Sequence, residues 1–105
     1  MSPARLLLKA GNFYLVQGKR WQPLIETDGT LLMSFILNGE LTEEDVMEIM
    51  WPDPDRMPDW WAGSMKVKFH RINSILEPFG WRIKARYNWG WSLKESPAAK
   101  ERLVA

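Results

Sequence analysis

Two adjoining stretches decide how this chain reads. They are Ser64-Met65-Lys66-Val67-Lys68-Phe69-His70-Arg71-Ile72-Asn73-Ser74-Ile75-Leu76-Glu77-Pro78 and, after Phe79-Gly80, Trp81-Arg82-Ile83-Lys84-Ala85-Arg86. In the first, apolar residues recur at helical spacing. At about 100° per residue, Trp61, Met65, Phe69, Ile72 and Leu76 form one stripe. The spacing predicts a helix from near Asp59 to about Leu76 with that stripe in the core. The opposite face holds Gly63, Val67, His70, Arg71 and Ser74, with Lys66 and Asn73 on its flank and no acid before Glu77. A merely solvated helix face mixes both signs on long side chains, whereas this one is basic and small. Gly63 costs about 1 kcal/mol relative to alanine inside a helix, which close approach to a partner would justify. In the second stretch the period becomes two. Trp81, Ile83 and Ala85 share one face of a strand, and Arg82, Lys84 and Arg86 share the other. Those bases are spaced by roughly 6.7 Å, near the phosphate repeat of a nucleic-acid strand. Tyr87-Asn88-Trp89-Gly90 reads as a turn and Trp91-Ser92-Leu93 as the return strand.

Upstream, the first quarter reads as a small antiparallel meander. Leu6-Leu7-Leu8, Phe13-Tyr14-Leu15-Val16 and Lys19-Arg20-Trp21-Gln22-Pro23 are separated by Gly11-Asn12 and Gln17-Gly18. A first helix follows, with Thr27-Asp28 as N-cap and Leu31, Leu32, Phe35 and Ile36 at helical spacing. Met33 and Leu37 fill much of its remaining surface, which predicts burial on most sides. Asn38-Gly39 stops it. Thr42-Glu43-Glu44-Asp45 matches a capping box opening a second helix, and Leu41 and Val46 are spaced as a hydrophobic staple. Val46, Ile49 and Met50 supply that helix's apolar face. Pro52 and Pro54 then enforce an extended loop running from Trp51 to Pro58. Residues 94–105 read as a tail, frayed or forming a short helix after Ser96-Pro97.

At 105 residues, with 46% hydrophobic and 26% charged, the chain makes one domain with a single core. It has no cysteine, which removes disulfides, thiolate nucleophiles and Cys-based metal sites and fits a cytoplasmic location. A single histidine, His70, leaves little for a histidine metal site or a Ser/His/Asp relay. No nucleophile–base pair or paired carboxylates occur in a credible pocket context. The chain therefore does not read as an enzyme, and no cofactor or metal is implied. Asp53, Asp55 and Asp59 alternate with prolines without a calcium-loop pattern and read as solvated loop charges. No apolar run is long enough to span a bilayer.

The net charge of +1 conceals segregation. Residues 1–25 contain Arg5, Lys9, Lys19 and Arg20 and no acid. Residues 26–59 contain ten acids against Arg56 alone. Residues 60–105 contain nine bases and three acids. Such blocks make either a basic surface that attracts polyanions, or neighbouring patches that neutralise each other in the fold. Seven tryptophans suggest an anchored core, an aromatic binding face, or both. Trp60 and Trp89 fit no landmark position.

The order of elements resembles a winged helix-turn-helix, an α+β fold with an N-terminal antiparallel sheet, three helices and a C-terminal hairpin wing. Residues 64–78 look like the recognition helix of the OmpR/PhoB-type response-regulator effector domain. Residues 83–93 are similar to that family's wing, ending in Gly90-Trp91-Ser92-Leu93. Gly18, Trp21, Leu24, Leu31-Leu32, Gly39, Leu41-Thr42-Glu43-Glu44-Asp45 and Met50-Trp51 repeat its earlier landmarks in order. The likeness covers roughly residues 6–93, and the domain is taken as 1–93. It implies a sequence-specific double-stranded DNA-binding transcriptional regulator, bacterial or phage, acting in the cytoplasm at the nucleoid.

The resemblance implies that the third helix enters the major groove and the wing lies on the backbone or in the minor groove. The implied DNA contacts are Ser64, Lys66, Val67, Lys68, His70, Arg71, Asn73 and Ser74 on the helix, and Arg82, Lys84, Arg86 and Tyr87 on the wing. Arginine, asparagine and an aliphatic side chain suit guanine, adenine and the thymine methyl respectively. Lys19 and Arg20 would add phosphate contacts. Lys66 replaces the family's frequent acid, Asn73 its usual second arginine, Tyr87 the wing-tip arginine and Asn88 a turn glycine. The receiver domain that normally precedes this module is missing from the sequence, implying a stand-alone factor. RNA polymerase or another protein through the 51–59 loop, and a homodimer, are the further partners left open. A protein-interaction module on the same scaffold is the alternative reading.

Overall fold

The computed structural model of the chain describes residues 4–86 and 90–95. Three short strands, β1 (Arg5–Lys9), β2 (Asn12–Gln17) and β3 (Arg20–Leu24), form an antiparallel meander in that order. Then come α1 (Glu26–Asn38), β4 (Glu40–Thr42) and α2 (Glu43–Met50), a 3-10 turn at Pro54–Arg56, and α3 (Trp61–Leu76). A second 3-10 turn, Glu77–Phe79, leads into the hairpin β5 (Trp81–Arg86) and β6 (Gly90–Glu95). The second sheet has the order β4-β6-β5. This is the expected α+β architecture, with three helices, two small antiparallel sheets and a winged-helix-like layout. β6 continues to Glu95, two residues into the segment read as tail. Residues 96–105, like Tyr87, Asn88 and Trp89 at the hairpin turn, lie outside the described residues.

The core forms where the three helices meet the inner face of the second sheet. Met65, Phe69, Ile72 and Leu76 of α3 are buried, and Trp61 packs against them, so the predicted stripe is the core stripe. Phe69 stands at its centre. Its ring lies 6.2 Å from Phe35 of α1, edge-on, and 4.7 Å from Trp91 of β6. Each such fully buried side chain stabilises the fold by roughly 1.5–3 kcal/mol. From the first sheet Leu15 joins this cluster, and from the second Ile83 does.

The capping box forms as read: the Asp45 N–H donates to Thr42 Oγ1 and the Thr42 N–H donates to Asp45 Oδ2. It stands directly after β4, a strand too short to show in the sequence. β4 pairs Leu41 with Trp91 and Thr42 with Gly90. Gly90 is required there, because its φ is 154° and a Cβ would collide with the Leu41 carbonyl oxygen. The hairpin is thereby tied to the chain entering α2.

Three expectations change. α1 begins at Glu26 with Ile25 in the N-cap position, not at Thr27-Asp28. Asp28 is 3% exposed and serves a longer-range pairing described below. α1 is also not buried on most sides: Met33, Ile36 and Leu37 are exposed, Leu37 to 76%. Its buried side is limited to Asp28, Gly29, Leu31, Leu32 and Phe35, which meet the neighbouring elements and leave the opposite side open to solvent. Finally, Trp21 does not anchor the core; it is 46% exposed and stacks edge-on against Tyr14 at 5.5 Å.

Candidate nucleic-acid interface

α3 contains no acidic residue, and its solvent face carries Lys66, Val67, His70, Arg71 and Ser74, all exposed. Val67 is 63% exposed, an apolar residue on a polar surface. The Ser74 hydroxyl donates to the His70 carbonyl at 3.1 Å, a bond within the helix. Ser64 lies half-buried in the first turn.

Three residues expected on or beside this face are turned inward. Gly63 is buried beneath the Trp60 ring, so its missing side chain makes room for that indole rather than for a partner's backbone. Lys68 reaches across to α1, where its Nζ lies 2.7 Å from Asp28 Oδ1, with side-chain exposures of 13% and 4%. Arg71 reaches the same carboxylate, its Nη2 being 3.3 Å from Oδ1 and 3.4 Å from Oδ2, while its side chain stays half-exposed. Arg71 thus has one terminal nitrogen anchored while over half of its side chain stays open to solvent, which leaves guanidinium donors for planar acceptors. A buried carboxylate needs such partners, since taking it out of water unpaired costs several kcal/mol. Here the acidic and basic blocks of the sequence do neutralise each other, at one point. The sequence reading missed Asp28, although its spacing before Leu31, Leu32 and Phe35 puts it on the buried stripe.

Asn73 is the third. Its side-chain oxygen accepts from the Ile83 N–H at 2.7 Å and its Nδ2 donates to the Ile83 carbonyl at 3.0 Å. The amide expected to face adenine is therefore engaged with backbone. β5 is an edge strand of its sheet, and Asn73 satisfies the otherwise open N–H and C=O at its middle. The clamp also sets α3 alongside that edge, so Arg82 and Lys84, which flank Ile83, stand next to the C-terminal half of α3.

The pleat sends Ile83 inward and Arg82, Lys84 and Arg86 to the outer, exposed face, as read from the alternation. Across the sheet Arg82 faces Lys94, Lys84 faces Ser92, and Ser92 faces Glu40 on its other side. Among the described residues no carboxylate pairs with Lys66, Arg82, Lys84 or Lys94. Directly opposed like charges such as Arg82 and Lys94 destabilise a sheet, which gives an external anion a favourable place. Lys94 extends this row, and alternation along β6 would have found it. Arg20 is held with its guanidinium 5.7 Å above the Phe79 ring, beside the turn between α3 and β5, and Lys19 is exposed. Tyr87 lies outside the described residues. The acids Asp53, Asp55 and Asp59 are exposed, and Asp53 accepts from the Asp55 N–H at 3.1 Å.

Bordering this surface at Lys94, a cleft of about 590 Å³ opens between β1, α1 and the base of the hairpin. Leu6, Leu8, Met33, Ile36 and Leu37 contribute to its walls, and among the described residues Arg5 and Lys94 are the charged ones that line it. No helix among the described residues is long and apolar enough to cross a membrane. No protein-family model matches the sequence, and no curated protein matches it significantly.

Proposed function

We propose that this chain is a sequence-specific double-stranded DNA-binding transcriptional regulator similar to the OmpR/PhoB-type winged-helix effector domains, acting in the cytoplasm at the nucleoid. The observation that carries the reading is the acid-free face of α3 joined through the Asn73–Ile83 clamp to the outer-face bases of β5. Lys66, Val67, His70 and Arg71 read base edges in the major groove. Arg82, Lys84, Arg86 and Lys94 hold phosphates, with Lys19 and Arg20 reaching the flanking backbone. Lys68 and Asn73 act from within, aligning α3 with α1 and with the hairpin. The decisive experiment is a duplex titration at several salt concentrations. With about four to six phosphates engaged, log affinity falls with a slope near −4 to −5 against log salt. Absence of binding to any duplex at low salt refutes the reading.

The apolar cleft favours a second reading, a protein-interaction module on the same scaffold whose partner lays apolar side chains against Leu8, Ile36 and Leu37 and sets carboxylates opposite Arg5 and Lys94. Substituting His70 and Arg71 by alanine separates the two. DNA reading is lost in that variant, whereas binding through the cleft is unchanged.

A further inference from the structure

Trp60 is the residue on this surface with the least obvious reason to be there. It is 71% exposed, although tryptophan has the largest apolar surface of any side chain. It occupies the N-cap position of α3 and offers no side-chain capping bond. Its backbone carbonyl accepts from the Ser64 N–H at 3.1 Å, which starts the helix regardless of side chain. Yet the ring is not loose. It lies over Gly63, in the volume that any Cβ there would need. A glycine inside a helix costs about 1 kcal/mol, so the sequence sacrifices helix stability to seat an indole that stays open to solvent.

The place of that ring is informative. Positions 60, 64, 67, 71 and 74 follow one another at helical spacing, so Trp60 extends the solvent stripe of α3 toward its N-terminal end. Further along the solvent side of the same helix stand Val67, 63% exposed, and the exposed Lys66 and His70, with no acid on the helix. A protein-binding hot spot surrounds its aromatic anchor with apolar and mixed-charge neighbours. With exposed Asp59 before it in the chain, this aromatic leads on its helix side into an acid-free, basic stripe.

We infer that Trp60 is a DNA contact, an indole held in place by Gly63 that packs on deoxyribose and thymine methyl groups at the lip of the groove entered by α3. The inference rests on the DNA-binding reading and adds to it a residue and the chemistry that residue recognises. Duplex DNA keeps its base faces stacked, so sugars and thymine methyls are the apolar groups within reach. Seating the ring beforehand lowers the entropy lost on contact.

The test labels the full chain with 5-fluorotryptophan and follows the Trp60 fluorine resonance, assigned by its disappearance in Trp60→Phe, while a mixed-sequence duplex of about 20 base pairs, two helical turns, is added at low salt. The expected result is a shift or broadening of that resonance on binding. Alongside it, Trp60→Ala weakens duplex affinity roughly tenfold, and Gly63→Ala, which dislodges the ring without removing it, weakens it severalfold. If the duplex binds and the Trp60 resonance stays unmoved at saturation, the inference is overturned and the DNA-binding reading stands. If no duplex binds, both fall. A resonance that responds to a single strand of the same sequence but not to the duplex also overturns it, since a stacked base would then be the target. The fluorine measurement is made on the unsubstituted fold, so a destabilised alanine variant cannot mask the answer.

Discussion

The Lys68 ammonium lies 2.7 Å from the Asp28 carboxylate, with both side chains nearly sealed from water. This joins the second turn of α3 to the first turn of α1, and Arg71 completes the arrangement from the next turn of α3. A surface pair of this kind would contribute little. A buried one fixes geometry, because neither charge can be left alone in a low-dielectric interior.

Asp28→Asn is expected to destabilise the fold by about 3–5 kcal/mol, because Lys68 is left as an uncompensated buried charge. Lys68→Met is expected to cost less, since Arg71 remains on the carboxylate. Urea unfolding of the two variants measures the difference. Equal losses would mean that Arg71 contributes nothing to holding Asp28.

Asn73→Ala removes both bonds to Ile83 and leaves the middle of an edge strand open. A loss of about 2 kcal/mol is expected, with faster hydrogen exchange at the Ile83 amide. Asn73→Asp is expected to be worse than alanine, as it keeps the acceptor but turns a carboxylate oxygen toward the Ile83 carbonyl.

At Gly90 the clash of a Cβ with the Leu41 carbonyl oxygen separates β4 from β6. Gly90→Ala is expected to cost about 2 kcal/mol or more, read as a fall in Tm of roughly 10 °C for a domain of this size. An unchanged melting curve would show that the β4–β6 pairing contributes little to stability.

On DNA, the two halves of the basic surface are expected to behave differently. Lys84→Ala lowers affinity for all duplexes alike and makes the salt slope shallower by about one. Arg71→Ala costs about 1–3 kcal/mol on preferred sequences and flattens the ranking among them. Salt-dependent binding to a selected and a scrambled duplex distinguishes these outcomes. A parallel response of both variants would place Arg71 on the backbone instead.

Much of this architecture is written in short-range patterns. The α3 stripe at Met65, Phe69, Ile72 and Leu76, the Thr42–Asp45 capping box, the Gly39 stop and the Arg82–Lys84–Arg86 alternation each depend on neighbours within a few residues. They are therefore visible without a fold. The outward direction of Lys66, Val67, His70 and the β5 bases follows from the same periodicities.

What periodicity cannot supply is the identity of a partner distant in the chain. Lys68 and Asn73 have the residue types of DNA contacts and stand at its margins, yet each is committed to a group the helix meets only on folding: Asp28, forty residues earlier, and the Ile83 backbone, ten residues later. Gly63 likewise reads as an opening for a partner until Trp60 is seen lying on it. β4 has three residues and no pattern of its own; the register with Trp91 and Gly90 alone makes it a strand. The sequence by itself therefore determined every element except β4, their polarity and the basic character of α3 and the hairpin. The tertiary structure decided which of those bases face solvent, because a buried carboxylate and an open strand edge each require a partner and take the nearest suitable side chain.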